Sequence, residues 1–100
     1  MTVNLKLALT QGNPIQTISS VEQEAVEVEI PPAAKNITVG SRSAALYVSF
    51  IGTEGQLLSE TTSAFTVANN YLSMKIPNGI NSFFVSTIAD TTATVVIILE

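Results

Sequence analysis

Few side chains in this chain are able to do chemistry: eight carboxylates, four cations and many hydroxyls, with no cysteine and no histidine. Four of the acids, Glu22, Glu24, Glu27 and Glu29, crowd into one stretch. They are the right atoms for calcium. A calcium loop, however, curves Asp, Asn and Gly around the ion, whereas this stretch reads as extended backbone, which sends alternate side chains out in parallel. The acids therefore read as a solvated face whose charge opposes edge-to-edge pairing. A two-carboxylate hydrolase needs both acids on one cleft. Glu54, Glu60 and Asp90 sit in or beside predicted turns, and nothing pins any two together. Serine is plentiful but has no histidine to activate it, and there is no glycine-rich phosphate cradle. The missing Cys and His exclude the usual zinc and iron sites, Cys–His and Ser–His–Asp machinery, and histidine switching near neutral pH. The expectation is a protein that is not an enzyme and has no catalytic residues, no metal and no cofactor. Tyr47 and Tyr71 remain as groups that stack on a sugar or cover the edge of a core.

The charge balance narrows the partners. The net charge is −4, and Lys6, Lys35, Arg42 and Lys75 are spread along the chain, so no basic stripe for nucleic acid is legible. Hydrophobic residues make up 46% and charged residues only 12%, about half the usual charged share of roughly a quarter. Much of the surface must then be Ser, Thr, Asn and Gln. That composition suits an exterior partly covered by neighbouring subunits, and small β domains share it. The longest aliphatic run, residues 95–99, is far shorter than the roughly twenty residues of a membrane span. The first nine residues lack a basic head followed by an apolar run, so no signal peptide is expected. Asn36-Ile37-Thr38 matches a glycosylation acceptor and is taken as chance inside a strand.

These side chains must be positioned by strands. The stretch at 44–51 alternates Leu46, Val48 and Phe50 against Ala45, Tyr47 and Ser49, the two-residue period of a β-strand. It reads as a central strand with Tyr47 on the face away from the core, its hydroxyl toward water or a partner. Val3, Leu5, Leu7 and Leu9 alternate likewise and predict a first strand, stopped by Gln11-Gly12-Asn13-Pro14. Residues 15–20 read as a short strand or an extended connection. Val26, Val28 and Ile30 alternate with Glu27 and Glu29, and keeping Glu22 and Glu24 in water as well requires a bulge or break near Ala25. Pro31-Pro32 ends that strand. Further strands are expected at 37–39, from 57, at 63–67, 71–76 and 80–89. Between them stand turns at Gly52-Thr53-Glu54-Gly55, Asn69-Asn70, Pro77-Asn78-Gly79 and Asp90-Thr91-Thr92. The last strand, 93–99, has apolar residues on both faces from Val95 and should be covered on both.

No segment carries a 3.6-residue period, and no internal repeat is present. Residues 1–100 are therefore expected to form a single all-β domain, an antiparallel β-sandwich of about seven or eight strands with a jelly-roll or Greek-key path. A small closed barrel is the alternative.

The stretches "VEIPPAAKNITVGSRSAALYVSFIGTEG" and "LSMKIPNGINSFFVSTIADTTATVVIILE" resemble small accessory virion proteins of tailed bacteriophages, and the resemblance covers residues 26–99. It implies a virion structural role as a capsid decoration (cement) protein or head-fibre component, commonly a homotrimer or other small homo-oligomer. The implied partner is the major capsid protein, and the implied location is the capsid surface, after synthesis in the host cytoplasm. On that reading the contact candidates are Val3, Leu5, Leu7 and Leu9 of the first strand, Val95 and Ile97 of the last, and Tyr47 and Tyr71. The rival expectation is a carbohydrate- or receptor-binding β-sandwich of a phage fibre using the tyrosines, and the plainest is a scaffold with no ligand.

Overall fold

The computed structural model describes residues 2–21, 24–41, 45–53, 58, 65–67, 71–88 and 92–100. These hold nine strands and one short helix: β1 (Thr2–Asn4), α1 (Lys6–Thr10), β2 (Ile15–Val21), β3 (Val26–Glu29), β4 (Asn36–Gly40), β5 (Leu46–Ser49), β6 (Phe65–Val67), β7 (Tyr71–Lys75), β8 (Ser82–Thr87) and β9 (Ala93–Leu99). The strands form two sheets, ordered β1-β3-β8-β5-β6 and β2-β9-β4-β7. The pairs β5·β6, β4·β7, β3·β8 and β2·β9 are all antiparallel and nest inside one another like the rungs of one long hairpin. The pairs β4·β9 and β5·β8 close that hairpin around the core. This is the jelly-roll path. Parallel pairing of β1 with β3 adds a fifth strand to one sheet.

The inner faces follow from the alternation. One sheet contributes Val28, Leu46, Val48, Phe83 and Val85, and the other contributes Ile18, Ile37, Val39, Val95, Ile97 and Leu99, to a single buried cluster. At roughly 1.5–3 kcal/mol for each large side chain buried, this double layer is the main source of stability. The strand expected at mid-sequence is β5, an interior strand between β6 and β8. Its Ser49 hydroxyl accepts a hydrogen bond from the Ile51 amide (3.1 Å) and donates to the Ile51 carbonyl, turning the chain out of the sheet. Near Ala25 the extended pattern is interrupted, with Glu24 in an isolated bridge and β3 beginning at Val26, while Glu22 lies outside the described residues.

The first strand is shorter than its alternation predicts. Only Thr2–Asn4 is extended, and Lys6–Thr10 is helical. The physical reason lies in its partner. β1 runs parallel to β3 with Asn4 opposite Glu29, and beyond Ile30 the partner is Pro31-Pro32, which has no N–H to offer a ladder. Asn4 turns the chain by accepting the Lys6 amide on its Oδ1 at 2.9 Å. Leu5, Ala8 and Leu9 share one helical face, and Leu5 and Ala8 are buried there. Leu7 points out and is 62% exposed.

The turn signals at 11–14 and 77–79 are used as read: Gly12 and Gly79 both take positive φ, 77° and 83°. The Asn69-Asn70 turn lies outside the described residues, as do residues 54–55 and 90–91 of the turns expected at 52–55 and 90–92. Of the piece expected from 57, only the buried Leu58 is described.

Candidate functional site

The two sheets of the sandwich each present an outer face. Among the described residues no group of three or more Asp, Glu, His or Cys gathers, and no helix is long and apolar enough to cross a membrane.

The outer face of the five-stranded sheet is built by Asn4, Glu27, Glu29, Ser82, Phe84, Ser86, Tyr47 and Ser49, as the registers of β1, β3, β8 and β5 require. Its β3 side is acidic and wet. Its β5 side is covered: Ala25, Leu58 and Phe84 are buried together, and Tyr47 packs against them. Beneath this cover the Ser86 hydroxyl is fully buried with no hydrogen-bond partner. The Tyr47 ring, expected to lie open, is half-buried.

The outer face of the four-stranded sheet has a different chemistry. Register fixes two rows across all four strands. Ile15, Ile98, Thr38 and Ser73 form one, and Thr17, Val96, Gly40 and Tyr71 form the other. Both rows run from apolar or threonine at the β2 edge to hydroxyl at the β7 edge. The Thr38 and Ser73 hydroxyls share a hydrogen bond at 2.8 Å. Ile15 is 49% exposed, and Val96 and Ile98 are half-buried. The rows hold no charge. Asn36 and Lys75 pair beyond them at the edge, and Lys75 is the one charged side chain on this face among the described strand residues.

The expected contact residues fall mostly elsewhere. Val95 and Ile97 are on the inner face with no exposure, so the phase chosen for β9 is inverted and its outward residues are Thr94, Val96 and Ile98. Polar Thr94 is the signal that marks the outward phase. Leu5 is equally buried, and Val3 and Leu9 pack against the core from its edge. Leu7 is exposed, but on α1 and not in either row. Only Tyr71 stands where a contact residue would. Ile15, which with Ile18 reads from the sequence as an apolar anchor of the 15–20 segment, is instead exposed while Ile18 is buried, and an isolated Thr17 or Thr38 has no meaning until register aligns it with its neighbours.

No protein-family model matches this chain, and no curated protein matches it.

Proposed function

We propose that this chain is a non-enzymatic virion structural protein, a decoration (cement) protein that docks on the outer surface of a tailed-phage head and stabilises it. The observation that carries the reading is the pair of uncharged rows across β2, β9, β4 and β7, in a chain with eight carboxylates. Depletion of charge is a mark of an interface core, and Tyr71 adds the aromatic kind of side chain enriched there. A flat sheet face also offers many such side chains at once without ordering a loop. Jelly rolls recur in viral capsid domains and in lectins, but a fold hosts many functions, so the argument rests on the face. On this reading copies associate with one another through these rows, as a homotrimer, the trimer docks on the major capsid protein, and the shell gains stability because only the assembled state buries the face.

The test is add-back to heads lacking the protein, followed by occupancy on the particle and resistance of the particle to heat. Wild type and Glu29→Gln, on the opposite face, should bind alike, and Thr17→Asp should not. Equal occupancy by Thr17→Asp would overturn the reading. The sugar-binding alternative would draw on Tyr71, which lies in the rows, and on the part of the Tyr47 ring left open where it packs against Ala25, Leu58 and Phe84.

A further inference from the structure

At one end of the sandwich two crossovers between the sheets lie side by side. The β3–β4 crossover makes a turn at 31–34, closed by the Ala34 amide donating to the Pro31 carbonyl at 3.1 Å. The β7–β8 crossover makes a turn at 77–80, closed by the Ile80 amide donating to the Pro77 carbonyl at 3.2 Å. In the first, Pro32 presets its own φ at the second turn position. In the second, Gly79 supplies the positive φ of 83° that its third position uses.

Two further backbone hydrogen bonds tie these turns into a closed frame. The Ile30 amide donates to the Asn81 carbonyl at 2.8 Å, and the Ile76 amide donates to the Lys35 carbonyl at 2.9 Å. Residues flanking one turn are thus bonded to residues flanking the other, on both sides. Inside the frame is a groove of about 340 Å³. Ile30, Ala34 and Ile76, all buried, form its floor.

The charge of this groove is one-sided. Lys35 and Lys75 line it with Asn78 and Asn81, and no carboxylate does. Lys75 pairs with Asn36, the first residue of β4, and Lys35 directly precedes that strand, so both lysines line the groove from neighbouring segments. Both lysines are exposed. Half of the chain's four cations, spread along the sequence, thus line one groove.

We propose that this frame binds an extended acidic peptide segment, with a carboxylate held between Lys35 and Lys75, an apolar neighbour on the Ile30–Ala34–Ile76 floor, and main-chain groups meeting the Asn78 and Asn81 amides. The frame is fixed before binding, so little ordering cost falls on the protein, and ammonium–carboxylate hydrogen bonds are among the stronger ones. The apolar floor favours a peptide over a bare anion. A net charge of −4 opposes a nucleic-acid strand. The inference does not rest on the decoration reading, since the groove lies at the end of the sandwich and not on the rows.

The test is a titration of the isotope-labelled full chain with an acetylated, amidated Val-Asp-Val-Glu peptide, followed by amide NMR shifts. The neutral analogue Val-Asn-Val-Gln and inorganic phosphate serve as controls. The expected result is saturable shifts confined to residues 30–35 and 75–81, weakening with salt. Lys35→Glu/Lys75→Glu should raise the Kd by about tenfold or more, and Lys35→Arg/Lys75→Arg should hold it near wild type, both with well-dispersed spectra. No saturable shift at millimolar peptide, an equal response to the neutral analogue or to phosphate, or shifts elsewhere would each overturn the proposal. Oligomeric state, measured on the same samples, separates this result from the fate of the decoration reading.

Discussion

Ile15 and Ile98 stand opposite one another across the β2·β9 ladder, both on the face turned away from the core, while Ile97 beside them is sealed inside. Adjacent isoleucines of one strand therefore do opposite things. Ile97→Ala should cost about 2–5 kcal/mol through the cavity it leaves. Ile98→Ala should cost under about 1.5 kcal/mol, because part of that side chain is in water already. Urea unfolding of the two variants measures the difference, and equal losses would contradict the register.

The N-terminal helix makes a second contrast. Leu5 is buried and Leu7 is 62% exposed, whereas a continuous strand would have put both in the core. Leu5→Ala should destabilise by about 2–5 kcal/mol, and Leu7→Ala should stay within about 0.5 kcal/mol of wild type. A large loss at Leu7 would restore the strand.

Ser86 offers a gain. Its hydroxyl is buried without a hydrogen-bond partner, a condition that costs about 1–3 kcal/mol of desolvation. Ser86→Ala removes the hydroxyl and little volume, so unfolding should shift upward by about 1 kcal/mol. A destabilised Ser86→Ala would mean that the hydroxyl has a partner in the folded chain.

Gly79 separates conformational from steric cost. A Cβ there meets nothing within 4 Å, but the φ of 83° is one that side chains disfavour. Gly79→Ala should cost about 1–2 kcal/mol from backbone strain alone. A neutral result would show that the turn relaxes.

The alternation of Leu46–Val48, Val26–Val28 and Ile37–Val39 was enough to read the β-sandwich, because each strand carries its own inner face at period two. The nested hairpin order was open to the extent that turn signals at 11–14 and 77–79 bounded the strands. What failed did so where the decisive partner is distant in sequence. Residues 5–9 alternate as well as any strand, and only the prolines at 31–32 deny them a ladder. Residues 95–99 are apolar in both phases, so Thr94 alone marks which side faces out. The uncharged rows take two residues from each of four strands, and the lysine pair joins positions 35 and 75. Neither grouping exists before register does.

The most direct measurement is the solution mass by light scattering of wild type and of Ile15→Asp/Thr17→Asp, over a range of concentrations. Both substitutions fall on exposed positions of β2, so thermal stability should change little. The account predicts a wild-type mass three times the 10.6 kDa of one chain and a folded variant at the mass of a single chain. A wild-type monomer at every concentration, or a variant that keeps the assembled mass, would contradict the claim that this face carries the function.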